Sequence, residues 1–265
     1  MNGPVSNQRW IVAPRPVSGA RLKLICFPHA GAGAASYIAW AERLRASHIE
    51  PVAIQYPGRE NRISEPAIVN VDQMIHALAQ QWESLTDYRP YALFGHSMGA
   101  LLCYELAREL ERRQVPNRPR RLFLSGRNPP HIPPTQLVIQ HLPDREFLQA
   151  IGELYGNFPE EVLANAELAA LVAMTLRADF TLLSRYSWRA SGPLDSSFTI
   201  LGGADDPWTS ETQLSQWQQH TRFPTRVHLL PGGHFFHQKS PHEALRLIAR
   251  ECEELMEGGA RGLGN

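Results

Sequence analysis

Tyr91-Ala92-Leu93-Phe94-Gly95-His96-Ser97-Met98-Gly99-Ala100-Leu101-Leu102-Cys103-Tyr104-Glu105-Leu106-Ala107 is the stretch that decides the fold. It opens on a short apolar run, as in a strand covered on both faces. Its second half repeats apolar residues at helical spacing. Between the two, Gly95-His96-Ser97-Met98-Gly99 fits the pattern Gly-x-Ser-x-Gly and places Ser97 on a sharp strand-to-helix turn. Such a turn needs small residues at Gly95 and Gly99, where a Cβ would block the backbone. It lifts the serine hydroxyl clear of the sheet and aims the free N–H groups of the helix start at any developing anion. Ser97 is therefore the candidate nucleophile.

A serine of this kind needs a base and a carboxylate that orients the base, and in this strand arrangement they follow in the order serine, acid, histidine. Ser197-Phe198-Thr199-Ile200-Leu201 reads as a buried strand that runs into the turn Gly202-Gly203-Ala204-Asp205-Asp206-Pro207. Arg226-Val227-His228-Leu229-Leu230 reads as another, ending in Pro231-Gly232-Gly233-His234. Both polar groups stand just past strand ends, on the rim where a parallel sheet collects its sites. The roles follow: Ser97 attacks, His234 takes and returns the proton, and an aspartate holds the imidazole tautomer. Pro207 restricts Asp206 to an extended or turn conformation, which favours Asp206 as the acid, with Asp205 as the alternative. Of the 11 histidines, His228 lies within a strand and His237 beyond the loop. Only His234 has two preceding glycines that allow a close approach.

The oxyanion formed on attack needs N–H donors from the residue after the nucleophile and from a loop after an early strand. Leu22-Lys23-Leu24-Ile25-Cys26-Phe27 reads as that strand, and Pro28-His29-Ala30-Gly31-Ala32-Gly33-Ala34 as that loop. Met98 and Ala30 are the expected donors. Gly31-Ala32-Gly33 begins a dinucleotide-binding pattern, but Ser36 occupies its third glycine position and no P-loop lysine follows.

Outward from the elbow, Val52–Tyr56 reads as a strand, Val71–Leu85 as a helix and Arg121–Ser125 as the strand after the elbow helix. This alternation predicts a mostly parallel sheet with helices on both faces. The pattern then changes. After the proline-rich Pro129-Pro130-His131-Ile132-Pro133-Pro134, only helical periodicity remains, over Asp144–Tyr155 and Glu160–Tyr186. A helical insertion at this place reads as a lid over Ser97, with Ala173 and Met174 among the positions expected to shape an acyl pocket.

From about residue 20 to 256 the chain resembles the stand-alone, type II thioesterases that accompany polyketide and nonribosomal peptide synthetases. The resemblance rests on Cys26-Phe27-Pro28-His29-Ala30-Gly31-Ala32-Gly33, Gln55-Tyr56-Pro57-Gly58-Arg59-Glu60-Asn61-Arg62 and Phe94-Gly95-His96-Ser97-Met98-Gly99-Ala100. Ser125-Gly126-Arg127-Asn128-Pro129-Pro130, Leu176-Arg177-Ala178-Asp179-Phe180 and Pro231-Gly232-Gly233-His234-Phe235-Phe236 extend it. It implies an α/β-hydrolase fold; the residue pattern sets the core at 21–132 and 189–257, a helical lid insertion at 133–188, an N-terminal extension at 1–20 and, in the glycine-rich end, a flexible tail at 258–265. It also implies hydrolysis of acyl thioesters on the phosphopantetheine arm of acyl or peptidyl carrier domains, in trans, with no cofactor beyond the substrate's own phosphopantetheine. The triad alone also fits a general carboxylesterase, because nothing in it selects sulfur.

Composition narrows the remaining classes. The chain has 265 residues with 43% hydrophobic content, enough for one large domain with a substantial core. Its 26 basic and 26 acidic residues balance, so nothing favours nucleic acid or an anionic membrane as a partner. Cys26, Cys103 and Cys252 have neither metal nor disulfide spacing, and no metal site is expected. No signal-like segment and no apolar run of roughly 18 residues occurs. The expectation is a cytoplasmic monomer.

Overall fold

The computed structural model describes residues 10–261, apart from 14, 88, 134–138, 157, 159 and 240. Seven strands form one sheet in the order β1-β3-β2-β4-β5-β6-β7. They are β1 (Ile11–Val12), β2 (Leu22–Phe27), β3 (Ile49–Ile54), β4 (Tyr91–His96), β5 (Arg121–Ser125), β6 (Ser197–Gly203) and β7 (Arg226–Leu230). All neighbours pair in parallel except β1 with β3. The chain thus starts the parallel part at β2, moves to one edge and returns past β2 to β4. That reversal puts the β2 and β4 carboxyl ends side by side, where ligands enter open α/β sheets.

Helices α1 (Trp40–Leu44), α2 (Val71–Thr86) and α3 (Met98–Arg112) precede β5, whereas α4 (Asp144–Tyr155), α5 (Glu160–Ala164) and α6 (Ala166–Ser184) fall between β5 and β6. Helix α7 (Glu211–Leu214) lies between β6 and β7, and α8 (Phe236–Lys239) and α9 (Pro241–Arg261) follow β7. Strand side chains alternate between the two faces, as pleating requires. Ile25, Phe27, Leu93, Leu122 and Leu124 pack with α2 and α3, while Leu24, Cys26, Phe94 and Phe123 pack with α1 and α9. Along α9, Ala244, Leu245, Ile248 and Cys252 share the buried stripe.

Several boundaries differ from the sequence reading. Strand β3 begins at Ile49 and includes Pro51, paired with Leu24 of β2. Proline is tolerated there because β1 reaches only Ala53 and Ile54 on the other side, leaving Pro51 on an open edge. The expected N-terminal extension contributes β1, a two-residue strand too short for any periodicity to announce. The helical stretch expected over Glu160–Tyr186 is broken at Asn165, whose side chain accepts the Leu168 N–H at 3.1 Å and starts α6. The tail expected to be flexible from residue 258 is helical to Arg261; residues 262–265 lie outside the described ones.

The insertion between β5 and β6 has its own apolar cluster, built from Phe147, Leu148, Ile151, Ala169, Ala173 and Leu176. Of its expected span, 134–138, 157 and 159 lie outside the described residues. Its two ends meet on one core side chain. His131 stacks on His220 with centroids 5.0 Å apart and a ring nitrogen contact of 2.7 Å, and Trp188 lies 5.9 Å from the same His220 ring.

Candidate active site

Ser97 caps the N-terminus of α3 with φ 52° and ψ −112°, a region that side chains enter only when the surroundings force them. Its N–H donates to Ser125 O at 2.8 Å, which ties the elbow to the end of β5. The flanking glycines are steric necessities: a Cβ on Gly95 would lie 2.2 Å from Gly99 O, and one on Gly99 would lie 2.1 Å from Phe27 O.

The loops after β6 and β7 are joined to each other. Ala204 N donates to Leu230 O at 2.8 Å and Asp205 N to Gly232 O at 3.0 Å. On this paired scaffold His234 Nδ1 lies 2.9 Å from Asp206 Oδ2. The Asp206 carboxylate also accepts the Trp208 N–H at 3.0 Å and the Thr209 hydroxyl at 3.0 Å. Asp206 is buried, and Asp205 is exposed. The turn therefore brings Asp206, and not Asp205, to the imidazole. Since a carboxylate only accepts, the geometry places the proton on His234 Nδ1 and leaves Nε2 free as the basic nitrogen.

Three further histidines surround this pair. The His96 ring lies 4.8 Å from His234 and 4.2 Å from His237, and His29 lies 5.9 Å from His96. Burial pushes His29 down to about 4 and His237 down to about 3, and it holds His96 well below the ordinary range; repulsion from neighbouring histidines, and from Arg59 at His29, adds to this. All three are neutral near pH 7, so none of them sets a positive charge beside His234. His228 sits half-buried on β7, the last strand of the sheet.

The Pro28–Ala34 loop is held from three directions. Tyr56 Oη donates to Pro28 O at 3.3 Å, and Ala34 N donates to Gln55 Oε1 at 3.0 Å. Gly31 N donates at 2.8 Å to Asp179 of α6, which also makes a bidentate pair with Arg59 at 2.7 and 2.6 Å. The Ala30 and Met98 N–H groups make no backbone hydrogen bond in the described turns, loops and caps. Sequence reasoning missed Gln55, Tyr56, Arg59 and Asp179 as supports of this loop. The available signal was an acid in the apolar run of α6 and an arginine after Pro57-Gly58. The Gly31 contact with a carboxylate also disfavours pyrophosphate in this glycine loop.

From the insertion, a row of aromatic rings reaches His234. Centroids are 6.2 Å apart for Phe147 and Phe180, 6.4 Å for Phe180 and Tyr155, and 5.1 Å for Tyr155 and His234. Trp208 stacks on Tyr155 and donates its Nε1–H to Leu154 O at 3.1 Å, so α4 is fastened to the loop that carries Asp206. Among the described residues, no cluster of His, Cys, Asp and Glu is arranged to hold a metal ion.

A family model described as the thioesterase domain matches residues 22–254, which include every residue of this site. The chain belongs to the thioesterase family. It is 38% identical to linear gramicidin dehydrogenase LgrE of Brevibacillus parabrevis, over 98% of each chain. It is 35% identical to gramicidin S biosynthesis protein GrsT of Aneurinibacillus migulanus, over 92% of this chain and 93% of that one. Among solved structures it resembles the type II thioesterase BorB of the borrelidin biosynthetic cluster, with a TM-score of 0.81, 32% identity, and coverage of 91% of this chain and 96% of that one. RedJ, a thioesterase of the prodiginine pathway of Streptomyces coelicolor, gives a TM-score of 0.81 and 34% identity over 89% of this chain and 92% of that one. The likeness thus covers the core and the insertion together, and this thioesterase has the α/β-hydrolase fold. No helix among the described residues is long and apolar enough to cross a membrane.

Proposed function

We propose that this thioesterase releases acyl groups from the phosphopantetheine arm of acyl or peptidyl carrier domains of a polyketide or nonribosomal peptide synthetase. It acts in trans, as a cytoplasmic monomer, and removes stalled or aberrant acyl groups. The observation that carries the reading is the His234–Asp206 pair at 2.9 Å, with the His234 ring 4.8 Å from that of His96, the residue before the elbow serine, in a chain similar over nearly full length to gramicidin S biosynthesis protein GrsT and to the type II thioesterase BorB.

The residues divide the chemistry as follows. Ser97 Oγ attacks the thioester carbonyl while His234 Nε2 takes its proton. The Met98 and Ala30 N–H groups receive the oxyanion. Asp206 holds the imidazole in the needed tautomer and stabilises its charged form. Collapse breaks the C–S bond, and His234 returns the proton to the departing pantetheine sulfur. Water, activated by the same His234, then attacks the acyl-serine and releases a carboxylic acid and free Ser97. No cofactor of the protein's own takes part. The insertion serves as the lid, and the half-buried rings of Phe180 and Tyr155 form the wall along which the acyl chain lies.

The test is release of acetyl, propionyl and longer acyl groups from loaded carrier domains, measured beside hydrolysis of aryl esters of the same acids. A kcat/KM for carrier thioesters well above that for aryl esters is expected. The opposite ranking would make the protein a general carboxylesterase.

A further inference from the structure

We propose that Asp179, on the longest helix of the insertion, is a positioning residue for the oxyanion loop. By accepting the Gly31 N–H it holds the peptide unit next to the Ala30 donor, so that seating α6 on the core completes the anion-stabilising site. This rests on the assignment of Ala30 and Met98 as oxyanion donors under Proposed function.

Asp179 and Arg59 are both almost fully buried, at 1% and 4% exposure. Asp179 Oδ1 accepts from Arg59 Nη2 at 2.6 Å. Oδ2 accepts from Arg59 Nη1 at 2.7 Å and from Gly31 N at 2.8 Å. Arg59 Nη1 also donates to Ala32 O at 3.1 Å. One ion pair therefore grips residues 31–32 at a donor and at an acceptor, and rotation of either peptide unit would break a charge-assisted hydrogen bond. The grip sits one residue after Ala30. On the other flank, Tyr56 and Tyr37 hold Pro28 O and Phe27 O. With both flanks held, the direction of the Ala30 N–H is set by contacts outside its own loop.

Helix α6 meets the loop at a second point on the same face. Gly31 has φ +79°, and a Cβ there would come 2.6 Å from Cδ2 of Leu176, one helical turn before Asp179. Leu176 supplies shape and Asp179 supplies direction. An apolar pair of similar volume in place of Arg59 and Asp179 would avoid the desolvation of two charges and hold the fold as well. It would offer Gly31 no acceptor and Ala32 no donor. That difference separates positioning from plain packing.

The experiment compares wild type, the double variant Arg59→Met/Asp179→Leu, the single variant Asp179→Asn and Ser97→Ala. Thermal midpoints are recorded together with kcat and KM on an acetyl-carrier thioester. The double variant is expected to melt close to wild type, while kcat falls by up to about a hundredfold and KM moves only a few-fold, since the lost contact acts on the oxyanion and not on ground-state binding. Asp179→Asn keeps an acceptor for Gly31 but sets an amide N–H2 against the guanidinium, so its kcat falls by about tenfold. Wild-type kcat in a folded double variant, or a raised KM with kcat unchanged, overturns the proposal. If the double variant does not fold, wild-type kcat in folded Asp179→Asn overturns it. Turnover retained by Ser97→Ala overturns the site reading beneath it. An inactive Ser97→Ala beside a fully active double variant removes the positioning role alone.

Discussion

Asp206 and His234 meet at 2.9 Å although 28 residues separate them, because the loops that carry them are hydrogen-bonded to each other before the side chains are. The Thr209 hydroxyl donates to the same Asp206 Oδ2 and the Trp208 N–H to Oδ1. Asp206 is thereby held with Oδ2 aimed at Nδ1.

Replacing Asp206 by Asn is expected to lower kcat by up to about ten-thousandfold, since an amide can present N–H to Nδ1 and stabilise the wrong tautomer. Asp205→Asn alters an exposed side chain and is expected to leave kcat within a few-fold. Steady-state hydrolysis of an acyl-carrier thioester by both variants checks this, and equal losses would contradict the pairing.

Ser97→Ala is expected to abolish measurable turnover without loss of fold, by several powers of ten in rate. Removing the hydroxyl leaves the Ser97 N–H bond to Ser125 in place. Circular dichroism and thermal melting should match wild type. Hydrolysis near the wild-type rate would exclude Ser97 as the nucleophile.

The insertion separates two neighbouring positions that the sequence treats alike. Ala173 is fully buried in the insertion's apolar cluster, whereas Met174 is 50% exposed. Ala173→Trp forces a ring into packed space, at about 1–3 kcal/mol, and is expected to disfavour long acyl chains more than acetyl. Met174→Trp should leave the chain-length profile as it is. Profiles from acetyl to dodecanoyl decide it: a shift at Met174 with none at Ala173 would reverse this assignment of faces.

Acid should weaken the fold before the carboxylates titrate. Burial lowers His29 and His220 from 6.5 to about 4 and His237 to about 3. Below pH 6.5 the unfolded chain binds protons that the folded chain refuses, so stability is complete above 6.5 and is lost as pH falls toward 4 and then 3. Each group contributes at most about 1.4 kcal/mol per pH unit. Urea midpoints at pH 7.5, 6 and 5 should fall steadily, and His237→Leu should flatten the trend. Midpoints constant over that interval would show that these histidines are not neutral in the folded state.

What the sequence determined by itself is local. Ser97, Asp206 and His234 each stand just past a strand, in turns whose glycines and proline restrict the backbone, and such constraints act over a few residues. The same locality made Asp144–Tyr155 readable as a helix, and it left Ile11–Val12 unread, because a two-residue strand is stabilised by its partner β3 and not by its own pattern. The choice between Asp205 and Asp206 needed the fold, since adjacent residues of identical chemistry differ only in which one the paired loops turn inward. The support of the Pro28–Ala34 loop was decided by tertiary structure alone. Asp179 lies 148 residues from Gly31 and 120 from Arg59. A buried charge is stable only beside its counter-charge, and no periodicity along the chain records where folding will bring that partner.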